Sequence, residues 1–197
     1  MSRVFVTGAT GVLGRRTVPA LVAAGHDVSA VVRSEAKAGQ VRHAGAAPVE
    51  VDLFDVAAVR RAVTGHDAVI HLATNIPTGV GAATKRAWST NDRLRREASS
   101  NLATAAVDTG AERYVQESIT FPYVDRGDDW IDETVECTYF WGNESTVDAE
   151  ASASSVTSAD GIGVVLRFAM FMAVDSAHMR TFSAMAWRGF WALAGTD

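Results

Sequence analysis

Three glycines near the N-terminus have a spacing suited to holding a phosphate. The run Val4-Phe5-Val6-Thr7-Gly8-Ala9-Thr10-Gly11-Val12-Leu13-Gly14 reads as a buried strand that opens through a G-x-x-G-x-x-G loop into a helix. In such a loop Gly8 supplies the tight turn, Gly11 lets a pyrophosphate approach the backbone, and Gly14 lets the helix pack on the strand. The N–H groups from Thr10 through Val12 to Leu13 would then meet the phosphates at a helix N-terminus, where free donors and the helix dipole both favour an anion. A mere tight turn would leave the same glycines. Their place on a first strand followed by repeated βαβ units points instead to a bound dinucleotide.

A second signal closes the next strand. A dinucleotide site that reads the ribose 2′-hydroxyl carries an acid there, and Val32-Arg33-Ser34 offers none. A guanidinium fork beside a hydroxyl suits a 2′-phosphate, so NADP is expected, with NAD as second choice. Stacking on the adenine, or plain solvation, is the alternative role for Arg33.

Proton-handling groups come later in the chain. A doubly wound sheet keeps its substrate at the carboxyl ends of its strands, which places Glu117, Ser118 and the loop bearing Tyr123, Asp129, Asp132 and Tyr139 nearest the chemistry. Burial would raise a carboxyl pKa toward the range useful for general acid–base work, so Glu117 and Tyr139 lead the candidates, with Ser118 and Tyr123 beside them. The acidic, aromatic loop from Phe121 to Asn143 reads equally as a solvated surface. The five histidines show no ligand spacing with Cys137 or with one another, and no metal is expected.

These groups need a scaffold, and the rest of the chain describes one. Short β-rich runs at Arg3–Thr7, Asp27–Val32, Ala47–Val51, Ala68–Leu72, Arg113–Gln116 and Gly163–Phe168 alternate with helical spacing at Val12–Ala24, Glu35–Ala44, Val56–Val63, Thr84–Thr109 and Ser145–Ala159. That rhythm predicts an α/β fold with a doubly wound parallel sheet, Rossmann-like, and a reduced C-terminal substrate region. Gly25, Gly45, Gly65 and Gly110 follow helical stretches as C-terminal stops do, and Pro19 should kink the first helix. The expected division is a dinucleotide-binding domain over 1–168 and a short substrate-lobe segment over 169–197.

Composition limits the partners. At 197 residues, 48% hydrophobic and 21% charged, the chain can bury a core without disulfides or metal. A formal charge of −5 argues against a nucleic-acid or anionic-membrane surface, and a small-molecule substrate is expected instead. Cys137 has no partner for an internal disulfide, no run approaches the roughly 20 apolar residues of a membrane helix, and Met1 leads into a polar pair, so a cytoplasmic location is expected.

With these residues in view, the sequence resembles the short-chain dehydrogenase/reductase superfamily, in its extended or atypical NAD-dependent epimerase/dehydratase-like branch. Thr7-Gly8-Ala9-Thr10-Gly11-Val12-Leu13-Gly14 is similar to the family's glycine motif. Val51-Asp52-Leu53 matches where Asp52 would meet the adenine, with Leu53 beside it, and Val69 to Thr74 matches the strand that passes behind the cofactor, bringing Leu72, Ala73 and Thr74 against it. Asn91 in a helix and Val165-Leu166-Arg167-Phe168 agree as well. His71 reads as a core histidine and Arg167 as a structural ion-pair or carbonyl-binding residue. The resemblance implies a homodimer or higher homo-oligomer through Thr84–Thr109 and Ser145–Ala159, with Trp187, Phe190 and Trp191 covering or bordering the cleft.

The chemical half departs from the family. Relatives use a Tyr-x-x-x-Lys pair for proton transfer, whereas Tyr114, Tyr123 and Tyr139 are followed four residues later by Ser118, Gly127 and Asn143. The helix match around Ala149-Glu150 puts Gly142 and Thr146 at the two positions. The only lysines, Lys37 and Lys85, lack the required spacing from a tyrosine. Two functions stay open: an atypical oxidoreductase or epimerase acting on a carbonyl or alcohol, and a non-redox cyclase, dehydratase, isomerase or nucleotide-sensing protein using acids such as Glu117, Asp129 and Asp132.

Overall fold

The computed structural model of the chain describes residues 1–77, 82, 84–171, 173 and 175–189. Its strands β1 (Arg3–Thr7), β2 (Asp27–Val32), β3 (Ala47–Glu50), β4 (Ala68–His71), β5 (Arg113–Ile119) and β6 (Ile162–Phe168) form one sheet in the order β3-β2-β1-β4-β5-β6. Every adjacent pair is parallel. The chain runs outward from β1 to β3, then crosses back to lay β4 on the other side of β1. A crevice opens outside the carboxyl ends of β1 and β4, where the strand order reverses. This is the doubly wound, Rossmann-like α/β fold.

The period-two pattern of β1 assigns the two faces. Val4 and Val6 pack with Val28, Ala30 and Val32 of β2 against α1 (Gly14–Ala23) and α2 (Glu35–His43). Phe5, between them, faces the other way, into a core of Val59 and Val63 from α3 (Val56–Val63), Leu102 and Ala106 from a later helix, and Val156 from a third. The four glycines expected as helix stops, Gly25, Gly45, Gly65 and Gly110, all take φ between 77° and 83°.

Two elements differ from expectation. The helix expected over Thr84–Thr109 is α4 (Lys85–Arg93), a π turn (Leu94–Ala98) and α5 (Ser99–Thr109). Asn91, Arg95 and Ser99 are all buried and recur every four residues, a repeat that drifts about 40° per step on an α-helix. The wider π turn offsets that drift and keeps all three facing inward. Strand β5 also runs past the expected end at Gln116, because β6 pairs with it residue for residue as far as Ile119 opposite Phe168. Glu117 and Ser118 therefore sit in the sheet.

The loop between β5 and α6 (Ser145–Ser158) has order of its own: Tyr123 bridges to Cys137, and Thr138 N–H donates to Pro122 O at 2.6 Å. After β6, Asp175 contacts Arg15 at 2.8 Å and Arg16 at 3.2 Å, tying the start of the C-terminal segment to α1. Helix α7 (Ala177–Trp187) follows, with Ser176 Oγ accepting from Met179 N–H at 3.1 Å. Trp187 is exposed; Phe190 and Trp191 lie outside the described residues. Among the described residues no helix is long and apolar enough to cross a membrane.

Candidate functional site

The β1–α1 turn is shaped by contacts that leave no room for side chains. Gly8 takes φ +71°, and a Cβ there would stand 2.4 Å from the carbonyl carbon and oxygen of Leu72. A Cβ on Gly14 would stand 2.2 Å from Gly8 O and 2.6 Å from Ala9 Cα, so helix packing depends on that glycine. Gly11 N–H closes the turn onto Gly8 O at 2.9 Å. The N–H groups of Thr10, Val12 and Leu13 meet no protein acceptor among the described residues. Free donors at a helix N-terminus, beside a glycine where the backbone is bare, fit a dinucleotide pyrophosphate.

A cavity of about 930 Å³ extends from this turn. Gly8, Thr10, Gly11, Val12 and Leu13 form one wall; Leu72, Ala73 and Thr74 form another. Beyond β2 and β3 it is bounded by Arg33, Asp52 and Leu53. Asp52 Oδ1 accepts from Phe54 N–H at 2.9 Å and sets the turn after β3. Asn101 Nδ2 donates to Leu53 O at 3.0 Å, and the Arg93 guanidinium stacks 3.6 Å from the Phe54 ring, so α4 and α5 hold this turn in place. Lys37, on the first turn of α2, lines the cavity with Arg33 and was missed by the sequence reading; its signal was its position four residues past Arg33. Neither Arg33 nor Lys37 makes an ion pair among the described residues.

Gly14 and Asn91 do not line this cavity. Asn91 is fully buried, and its Oδ1 accepts from Asn75 N–H at 3.0 Å, which fixes the chain just past β4. His71, also fully buried, has Nε2 3.3 Å from Leu94 O and Nδ1 2.6 Å from Thr7 Oγ1. Burial, with the nearby Arg95 charge adding to it, pushes its pKa down to about 4 despite the bond to Leu94. The ring is therefore neutral: Nε2–H donates to the carbonyl and Nδ1 accepts from Thr7. This is a core histidine.

At the far end, Glu117 and Ser118 reach the cavity from β5. Glu117 is ion-paired with Arg95 from the π turn, Oε1 to Nε at 3.1 Å, with both groups almost fully buried. Ser118 Oγ lies 2.6 Å from Glu150 Oε1 on α6. Glu150 is bridged in turn by Arg167 of β6, Nε to Oε1 at 2.9 Å and Nη2 to Oε2 at 2.7 Å. Burial raises the Glu150 carboxyl, but the bonds from Arg167 and Ser118 outweigh it and hold the group below the usual carboxylate range, while the Arg167 pKa is raised by the same pair. The chain continues to Tyr123, whose hydroxyl accepts from Arg167 Nη1 at 2.8 Å.

Tyr123 and Tyr139 do not line the cavity. The Tyr139 hydroxyl is pushed up by burial and by its bond with Cys137. Asp129 and Asp132 are exposed, and Thr134 holds the Asp132 carboxyl low by hydrogen bonds from its hydroxyl and backbone. Gly142, at one of the two positions matched to the missing pair, lines the cavity beside Phe140 and Asn143. Thr146, at the other, is buried and donates to Asn143 O at 2.6 Å.

Comparison with known proteins agrees with this geometry. The NAD(P)H-binding family matches residues 8–160, and the chain belongs to that family. Among curated relatives, the 3-diazoavenalumate denitrifying reductase of a Streptomyces species is 34% identical over 184 residues, covering 90% of this chain and 59% of the relative. The L-arabinose 1-dehydrogenase (NAD(P)(+)) of Haloferax volcanii is 43% identical over 75 residues, 38% of this chain and 26% of that one. Among solved structures, the UDP-N-acetylglucosamine 4-epimerase of Bacillus cereus superposes with a TM-score of 0.73 at 20% identity, covering 96% of this chain and 63% of that one. The Bordetella bronchiseptica enzyme WbmH, in complex with NAD+, gives 0.70 at 20% identity, over 96% and 64%. The chain thus spans about three fifths of the length of the first relative and of these solved structures. The likeness to short-chain dehydrogenase/reductases of the epimerase/dehydratase-like branch stands.

Proposed function

We propose that this chain builds the cofactor site and part of the substrate site of an NADP-preferring oxidoreductase of atypical type. It acts on a carbonyl or alcohol of a small molecule without a Tyr-Lys pair. One observation carries the reading: a single cavity joins the glycine turn and the unpaired Arg33 and Lys37 to Glu117 and Ser118. When bound, the nicotinamide supplies hydride exchange. The chain's own residues do the rest. Backbone N–H groups at Thr10, Val12 and Leu13 hold the pyrophosphate, and Arg33 with Lys37 holds the 2′-phosphate. Asp52 and Leu53 bound the adenine end, and Leu72, Ala73 and Thr74 back the cofactor. Asn91 acts on that wall through Asn75. Glu117 and Ser118 stand nearest the reacting carbon, and Tyr123 acts through Arg167; Tyr139 belongs to the loop between β5 and α6. Residues 1–168 provide the dinucleotide domain and 169–197 begin the substrate side. Self-association across α5 and α6, as a homodimer or higher homo-oligomer, completes the reading.

Calorimetric titration with NADPH and NADH tests the cofactor half, with tighter NADPH binding expected and no binding of either overturning it. Nicotinamide absorbance during incubation with a panel of carbonyl compounds tests the chemistry. A cofactor that binds but never changes oxidation state would move the protein to the non-redox class.

A further inference from the structure

Three segments bring phenylalanine rings to the β5–α6 end of the cavity. Thr120 N–H donates to Phe168 O at 3.1 Å, which ties the chain just before Phe121 to the end of β6. Thr138 N–H returns to Pro122 O, and Phe140 N–H donates to Asn143 Oδ1 at 2.8 Å, so the far side of the loop is held at the same place. Past β6, the Phe171 ring lies 5.3 Å from that of Phe168. Phe121, Phe140, Phe168 and Phe171 all line the cavity. Three of them, with Met170, keep much of their surface open: Phe121 is 61% exposed, Phe140 57%, Met170 43% and Phe171 40%. Apolar surface left open in one place marks a ligand groove or a partner, and here it continues the wall of the dinucleotide cavity, which favours a small molecule bound beside the cofactor.

Charge is distributed the other way. The charged side chains of the lining are Arg33, Lys37 and Asp52 at the adenosine end and Glu117 at this one. Glu117 is matched by Arg95, and the neighbouring Glu150 by Arg167. Among the described residues, the lining here offers a phosphate no cation. Phosphate groups are held by guanidinium and ammonium side chains, and a diphosphate moved from water onto phenylalanine rings would lose its hydration without that return. We infer that this end of the cavity selects an uncharged substrate with a broad apolar body, bound by contact with Phe121, Phe140 and Phe171, and turns away phosphate-bearing ones such as nucleotide-linked sugars. The assignment rests on the proposed function only in taking this end as the substrate end.

The test uses the full chain, titrated by calorimetry with acetophenone and 2-acetonaphthone, with and without NADPH. Both ketones should bind one to one, the naphthyl compound about tenfold tighter, with a negative heat-capacity change that reports apolar burial. UDP-glucose, added with NADPH present to fill the adenosine end, should not displace 2-acetonaphthone. Phe121→Ser and Phe140→Ser remove rings that stand largely in the open, so their urea midpoints should stay near that of the wild type while each weakens 2-acetonaphthone about three- to tenfold. Equal affinity for the two ketones, no binding of either, displacement by UDP-glucose, or unchanged affinity in both variants would overturn the inference. Variants that dissociate a wild-type dimer in sedimentation yet keep its ketone affinity would assign the open rings to a second copy of the chain, and would overturn it too. Failure of NADPH to bind in the same titrations would count against the cofactor reading alone.

Discussion

At the β1–α1 turn the cavity wall is backbone: three glycines close together in sequence, free N–H groups and a strand end, with nothing larger than a hydrogen where Gly8 meets Leu72. At the β5–α6 end the wall is side chains from distant places. Ser118 meets Glu150 across 32 positions, and Arg167 meets Tyr123 across 44. A backbone site is constrained by shape, because any Cβ intrudes. A side-chain site is constrained only by pairing, and several residue sets can satisfy the same pairing. The phosphate end accordingly follows the family's glycine pattern, whereas no Tyr-x-x-x-Lys pair stands in the sequence and the β5–α6 end is built on the Arg95–Glu117 and Arg167–Glu150 ion pairs.

That contrast would break most visibly at the glycines. Gly14→Val places a carbon inside contact distance of Gly8 O and Ala9 Cα, both backbone, so α1 must leave its seat. The expected loss is about 3 kcal/mol of stability or more, together with complete loss of dinucleotide binding, read by urea unfolding and calorimetry. A variant that folds normally and binds NADPH as the wild type does would show that the turn is not shape-limited.

His71 lies where the two regions join, with Thr7 on one side and the π turn on the other. Unfolded, it takes a proton below its ordinary value of 6.5; folded, it resists until about pH 4. Between these values the unfolded chain binds more protons, so the stabilisation is complete above 6.5 and fades as pH falls toward 4. The gap corresponds to roughly 3 kcal/mol. Urea midpoints for wild type and His71→Gln, compared across that window, should show a steeper acid loss for the wild type. Parallel profiles would mean that the histidine is reached by solvent.

At the chemical end, Glu150→Gln replaces a carboxylate that accepts from Ser118 and Arg167 with an amide that cannot neutralise the arginine. A stability loss of about 1–2 kcal/mol is expected, smaller than at Gly14 because the pair is only partly buried. Unchanged stability would leave the network without a structural role.

The sheet was legible because its signals are local: alternating strands, glycine stops, and a glycine turn that states its own geometry. The glycine-loop residues and those just past β4 that line the cavity were readable for the same reason. The four-residue repeat of Asn91, Arg95 and Ser99 reads by itself as an ordinary polar stripe, and its inward path shows only where Arg95 meets Glu117 on β5. Asn91 was found as a family match, but its role emerges only from its bond to Asn75. Glu150, Lys37 and Asn143 were not singled out for the site, because an acid on a helix, a lysine on an exposed turn and an asparagine before a helix all have ordinary readings. Only the crossing of β5, α6 and β6 gives Glu150 its partners, Ser118 and Arg167. Tyr123 and Tyr139 were chosen for their chemistry and loop position, and neither lines the cavity; Tyr123 is engaged by its bridge to Cys137 and by Arg167.

The smallest effect, and the one that most finely divides backbone from side-chain recognition, concerns the 2′-phosphate. Pyrophosphate binding by N–H groups is the same for NADPH and NADH, so any preference must come from Arg33 and Lys37, with Glu50 lining a recess of about 350 Å³ beside Arg33. A guanidinium facing a phosphate dianion at an exposed rim contributes modestly, because solvent screens the charges. Arg33→Asp should therefore weaken NADPH about tenfold and NADH by less than about threefold, with Lys37→Ala shifting the ratio in the same direction by less. Raising the salt concentration should shrink the wild-type preference and leave NADH affinity nearly level. If Arg33→Asp left both affinities as they are in the wild type, the 2′-phosphate assignment would fail, while the backbone cradle, tested separately at Gly14, would stand untouched.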